Sequence, residues 1–192
     1  MTSISDTDIG IIILAAGSSQ RYGSDKRTAT LSDGTALLSA TLANVPDSFI
    51  RRVLVLKKED VDLGRLYADN WQICHAVNPE TGLASSLASG IAMAGNWPAT
   101  LIGLGDMPYI STQTYVALQQ ALKAQDIVIP VFEDQRGNPV GFRQQYFDEI
   151  IQLQGDKGAK SLLEKYKEEC FEVEVQDSGI IQDIDTPEML RK

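Results

Sequence analysis

Apolar residues along this chain fall into short runs separated by polar breaks that carry glycine or proline, and the runs alternate between strand and helix periods. Ile11, Ile12, Ile13 and Leu14 form an unbroken apolar stretch, the composition of a strand buried on both faces. It stops at Ala15-Ala16-Gly17-Ser18-Ser19, where small side chains let backbone approach a ligand. After an Asp33-Gly34 turn, Leu37, Leu38, Leu42 and Val45 recur at helical spacing up to Pro46. Residues 52–57 and 72–77 read as two further strands, with a short acidic helix over 60–68 between them. A helix starting near Ser85 and Ser86 runs to 94, and a strand over 100–104 follows. The next helix begins at Ser111 or Thr112 and reaches 124, ahead of a strand over 126–132. Residues 133–142 carry Gly137 and Pro139 and read as an irregular antiparallel excursion at a sheet edge, because proline is awkward in a central strand. An amphipathic stretch over 145–153, a turn at 155–158, a helix over 161–167 and a last strand over 171–175 complete the pattern. Strands alternating with helices predict a three-layer α/β/α, Rossmann-like fold on a mostly parallel sheet.

Composition narrows the partners. The 192 residues predict one domain, 1–192, long enough to bury a core of its own. A formal charge of −9 removes the diffuse basic field that holds nucleic acid, while leaving room for a few locally placed cations. Cys74 and Cys170 stand far apart in apolar surroundings, with no C-x-x-C, and read as reduced thiols of a cytoplasmic protein. The acidic N-terminus is unlike a signal peptide, and the apolar run after it is too short to span a bilayer, so no membrane partner is expected. His75 is the only histidine and reads as structural. No Ser-His-Asp or Cys-His set is present to propose a covalent intermediate.

The chemistry-bearing positions cluster where strands end. Backbone N–H groups of the 15–19 loop, with Arg21 and Lys26 just beyond it, suit the phosphates of a nucleotide. The bland alternative is an ordinary strand-to-helix turn with incidental cations. The spacing of Gly17, Gly23 and Lys26 fits neither G-x-G-x-x-G nor G-x-x-x-x-G-K-[ST]. Asp106 stands at the carboxyl end of a buried strand, followed by Pro108, where ligands bind in open α/β sheets; it is the first candidate metal ligand. Asp183 and Asp185, two apart in extended chain, face one side and either share a cation or complement the helix start marked by Thr186 and Pro187. Ser85 and Ser86 either cap their helix or receive a nucleotide, and the two roles are compatible.

The pattern L-A-A-G-x-S-x-R-x-G-x-x-K over 14–26 resembles the signature of the MobA-like nucleotidyltransferases, most closely the branch of molybdenum cofactor cytidylyltransferases. Asn78-Pro79, Gly82 to Leu87, Gly105-Asp106-Met107-Pro108, Arg136-Gly137-Asn138-Pro139-Val140, Gly155-Asp156-Lys157-Gly158-Ala159 and Asp183-Ile184-Asp185-Thr186-Pro187-Glu188 stand in that family's order. The resemblance implies transfer of CMP from CTP to a molybdenum–molybdopterin acceptor with release of pyrophosphate. It leaves open a guanylyltransferase of the same fold, or a nucleotide-binding module without chemistry. It implies a nucleotide held by Leu14, Ala15, Ala16, Gly17, Ser18, Lys26, Asn78, Ser85 and Ser86, with Arg21, Lys26 and Asp106 catalytic. Mg²⁺, or Mn²⁺ in its place, would sit on Asp106 and Asp185, and the 136–140 and 155–159 segments would face the second substrate. Transient contact with a molybdoenzyme or an insertion chaperone is implied too. Departures from the family pattern fall at Tyr22, at Arg27-Thr28-Ala29-Thr30-Leu31-Ser32 and at Asn138, near the acceptor.

Overall fold

The computed structural model describes residues 4–17, 22–23, 25–155 and 158–191. The described residues form eight strands: β1 (Ile9–Leu14), β2 (Arg52–Leu56), β3 (Gln72–His75), β4 (Ala99–Leu104), β5 (Ile127–Phe132), β6 (Gln135–Arg136), β7 (Val140–Arg143) and β8 (Cys170–Glu174). The helices between them are α1 (Leu37–Ala43), α2 (Val61–Tyr67), α3 (Leu83–Ala94), α4 (Thr112–Leu122), α5 (Phe147–Ile151) and α6 (Lys160–Lys165). β3, β2, β1 and β4 lie side by side and parallel, and β8 runs parallel to β5. All six residues of β1 are buried, as a strand covered on both faces requires. Ile12 and Leu14 face the layer of α3, α5 and α6, while Ile11 and Ile13 face that of α1 and α4. Each fully buried isoleucine contributes on the order of 2 kcal/mol to holding the layers together.

The 133–142 excursion is only half as expected. β6 is a two-residue strand paired with the end of β5, but β7 lies inside the sheet, antiparallel to both β4 and β5. Pro139 is tolerated because it immediately precedes β7 and so removes no hydrogen bond from its ladders. Gly141 permits the central position, since a Cβ there would stand 2.5 Å from Val128 Cγ2 and 2.8 Å from Leu101 Cδ2. The last strand, β8, takes the edge instead, with its side chains partly or fully exposed. α3 starts two residues earlier than the Ser85 expectation, at Leu83 after Gly82.

Candidate active site

Leu14 pairs with Leu104 across β1 and β4, and Gly105 N–H donates to Leu14 C=O at 2.9 Å. The two loops that leave these strands therefore start side by side at the carboxyl edge of the parallel half-sheet. Between them opens a cleft of about 550 Å³, walled by the backbone of 14–17, by Gly82, Leu83 and Ser86 at the start of α3, and by Lys26, Asp106 and Asp185. Gly17 has no structural neighbour to accommodate: its φ is not left-handed, and a Cβ there would meet nothing within 4 Å. Its small size serves the space in front of it, which is the cleft.

Three acidic residues converge at this site, two of them, Asp106 and Asp185, lining the cleft. One carboxylate oxygen each of Asp106, Asp183 and Asp185 lie within 4.8 Å of one another. The Lys26 ammonium donates to Asp106 Oδ2 at 2.6 Å, to Asp185 Oδ1 at 3.0 Å and to the Ile184 carbonyl at 2.9 Å. Ile184 N–H donates to the Asp106 carbonyl at 2.9 Å, tying the C-terminal segment to the end of β4. Burial pushes the Asp106 carboxyl up from its ordinary range, against the pull of the Lys26 charge. Burial alone would lower Lys26, but Asp106 and then Asp185 carry its ammonium above the usual lysine value, so it stays charged. Asp106 Oδ1 is buried with no hydrogen-bond partner among the described residues. A buried carboxylate oxygen left without a donor is costly, and hard oxygen donors at this spacing fit a divalent cation such as Mg²⁺ or Mn²⁺.

The description "MobA-like NTP transferase domain" matches residues 11–170. The chain belongs to this family. It is a nucleotidyltransferase by membership. The Bacillus subtilis purine catabolism protein PucB is 30% identical over 189 residues, covering 92% of this chain and 91% of its own. The Escherichia coli molybdenum cofactor cytidylyltransferase is 26% identical over 182 residues, covering 94% and 92%. Among solved structures, a homologue of Mycobacterium tuberculosis Rv0371c from Mycobacterium sp. strain JC1 superposes with a TM-score of 0.83 at 25% identity, over 98% of this chain and 95% of that one. The M. tuberculosis Rv0371C complex with manganese gives 0.73 at 24% identity, over 88% and 89%. No helix among the described residues is long and apolar enough to cross a membrane.

Of the residues singled out in sequence, this transferase brings Leu14, Ala15, Ala16, Gly17, Lys26, Ser86, Asp106 and Asp185 to one cleft. Ser18 and Arg21 lie outside the described residues, as do Asp156 and Lys157. Asn78 and Ser85 stand back from the cleft wall. Asn78 is in the left-handed region (φ 52°), and its carbonyl accepts from Thr81 N–H at 3.0 Å and from the Thr81 hydroxyl at 2.8 Å. The Ser85 hydroxyl donates to the Val77 carbonyl, so it fastens the 77–82 turn to α3 rather than capping the helix. Lys26 points into the acidic cluster, where the sequence places it only near phosphate. His75 Nδ1 lies 3.0 Å from the Lys57 carbonyl, in keeping with a structural role.

The sequence marks Arg27 only as a departure from the family pattern near the acceptor and does not foresee its structural role. Its guanidinium bonds Asp25 with Nε at 2.8 Å and Nη2 at 2.7 Å, reaches Asp60 through both Nη atoms, and donates to the Ala15 carbonyl at 2.9 Å. Asp60 in turn accepts from Lys57 N–H at 2.9 Å. One buried arginine thus pins the segment carrying Lys26 to the end of β1 and to the start of α2. Alternating Asp25 and Arg27 was the available signal; Asp60 was not identifiable as a partner from so far along the chain.

Proposed function

We propose that this nucleotidyltransferase moves the cytidylyl group of CTP to a terminal phosphate of a molybdopterin-type acceptor, with Mg²⁺ as the working cation and Mn²⁺ able to replace it. The observation that carries the reading is one cleft lined by a small-residue backbone wall together with a lysine and two carboxylates, Lys26, Asp106 and Asp185. Its likeness to the E. coli cytidylyltransferase supports the base and the acceptor, and manganese in the Rv0371C complex supports the cation.

In this reading an acceptor phosphate oxygen attacks the α-phosphorus in line. The new P–O bond forms as the bond to the α,β-bridging oxygen breaks, and pyrophosphate leaves. Both reactants are anionic, so positioning and charge neutralisation must supply most of the rate. The Ala15 N–H is spent on the Val55 carbonyl at 2.8 Å, so the N–H groups of Ala16 and Gly17 hold triphosphate oxygens, and Ser86 closes the wall beside them. Asp106 and Asp185 would hold the divalent cation, which would supply charge neutralisation of the triphosphate. Lys26, already against both carboxylates, adds a fixed positive charge for the reacting phosphates, and Arg21 is assigned a second. A pyrophosphate-release assay of each triphosphate against molybdenum-loaded molybdopterin tests the whole reading, and release that is independent of the acceptor overturns it.

Lys26→Ala is expected to weaken CTP binding about ten- to a hundredfold, the loss of a charge-assisted contact worth roughly 1.5 to 3 kcal/mol. Calorimetric titration with CTP and Mg²⁺ reads this, and an unchanged dissociation constant removes Lys26 from the nucleotide site. Because Lys26 separates Asp106 from Asp185, its loss also lowers the melting temperature, and affinity is compared below that temperature.

Base choice is assigned to Ala16, which is buried and lines the cleft. Its methyl leaves space for a pyrimidine and crowds a purine. One methyl discriminates by about 1 to 3 kcal/mol, roughly ten- to two-hundredfold, which is preference rather than exclusion. Wild type should therefore favour CTP with measurable use of GTP, and Ala16→Gly should narrow the gap. Competing the two triphosphates in one reaction and separating products by base decides it; GTP preferred by wild type moves the protein to guanylyl transfer.

A further inference from the structure

The 177–185 segment that brings Asp183 and Asp185 to Asp106 is held at four points. Asp177 Oδ2 accepts from Ser111 N–H at 2.8 Å and from the Thr114 hydroxyl at 2.6 Å, while its Oδ1 accepts from Gly179 N–H at 3.0 Å. Gly179 lies against Tyr109, where a Cβ would stand 2.2 Å from the Tyr109 carbonyl oxygen. The Ile180 carbonyl accepts from Asn138 N–H at 2.9 Å and rests on Gly137, whose Cβ, if it had one, would stand 2.3 Å from that oxygen. Ile184 N–H closes the run on the Asp106 carbonyl. Ile180 and Ile184 are both buried beneath it.

These contacts give the Arg136-to-Val140 motif a task on the other side of the site from the one its resemblance implies. We infer that Gly137 is a positioning residue for the cation site: with Asn138 N–H it seats Ile180, and through Ile180 it sets where Asp185 stands relative to Asp106. The inference rests on Asp106 and Asp185 being the cation ligands. A methyl at Gly137 must displace Ile180 by more than half an ångström to reach even a tight contact. Only four residues separate Ile180 from Asp185, and the segment is anchored on both sides of Ile180, so the shift has little slack in which to dissipate. Oxygen–cation distances tolerate only about 0.2 Å, so a displacement of that size is felt at the site.

Mn²⁺ binding, followed by calorimetry on folded protein without nucleotide, tests this with Gly137→Ala and Asp177→Ala. The Mn²⁺ dissociation constant is expected to rise about tenfold or more in the first and several-fold in the second. Turnover of Gly137→Ala is expected to recover as Mn²⁺ is raised, with the acceptor KM unchanged. Unchanged Mn²⁺ affinity in either folded variant, or a raised acceptor KM that excess Mn²⁺ does not correct, overturns the inference and returns the motif to the acceptor. Should Gly137→Ala not fold, Asp177→Ala decides alone, because that carboxylate is only partly buried and its loss opens no backbone clash. Absence of Mn²⁺ binding by wild type is a different failure: it removes the cation reading itself, and this inference with it.

Discussion

Asp106→Asn and Asp185→Asn are each expected to fold and to lose most turnover, and the double variant to lose little more. Asparagine keeps the shape of the side chain and removes its charge. A site that must bring two anions together depends on a cation worth several kcal/mol of transition-state stabilisation, so loss of one ligand should cost a hundredfold or more in kcat. The two carboxylates meet at one Lys26 ammonium, at 2.6 and 3.0 Å, and share their cluster with Asp183, the geometry of groups acting as a unit. Groups that act as a unit give losses that do not multiply. Pyrophosphate release by the two single variants and the double variant under saturating CTP and Mg²⁺ measures this, and two independent, multiplying losses would rule out a shared cation.

The largest expected effect on stability is at Arg27, a residue with no direct part in the proposed chemistry. Its side chain is 9% exposed, with the Asp60 side chain at 11% and the Asp25 side chain at 40%. Removing one partner of a buried ion pair costs about 3 to 5 kcal/mol because the remaining charge is left uncompensated. The lower end applies here, since Asp25 is partly solvated and screened. For a chain of this length, about 3 kcal/mol lowers the melting temperature by about 6 to 12 °C, which scanning calorimetry of Arg27→Met reads directly. Bonds from Arg27 hold the Asp25 carboxyl below its ordinary range. A carboxyl depressed in the folded state contributes stability that is complete above its unfolded pKa of about 3.9 and is lost as pH falls through the lower folded value. Arg27→Met therefore flattens the acid limb of the stability profile below about pH 4, and a limb as steep as that of wild type counts against the assignment.

Much of the site was legible in the chain because its positions follow strand ends. An unbroken apolar run such as Ile11 to Leu14 has one place to go, the middle of a sheet covered on both faces, and whatever follows it emerges at the carboxyl edge. That puts Gly17 and Asp106 at one edge of the sheet from sequence alone, whereas the pairing of Lys26 with Asp106 and Asp185 is visible only in the fold. What could not be read depended on partners distant in sequence. Nothing in 133–142 says that β4 and β5 leave a gap for β7; Pro139 argued for an edge, and only the neighbours of Gly141 explain the centre. Ser85 was taken toward the nucleotide by its motif, yet a carbonyl of the preceding strand-end turn holds its hydroxyl. Arg27 looked like a departure from pattern at the acceptor because Asp60 and the Ala15 carbonyl, which hold it, come from other loops.

Lys26 finds its two carboxylate partners 80 and 159 residues further along the chain. During synthesis the first of them emerges with the parallel half-sheet and the second only after every strand has been made. A partly made chain thus presents a nucleotide wall while its cation cluster still lacks a member, and loop-closure entropy across that span is repaid only when the last segment docks. On the proposed reading, catalytic competence would come with the docking of the chain's end, and a chain whose end has not docked would carry no premature activity.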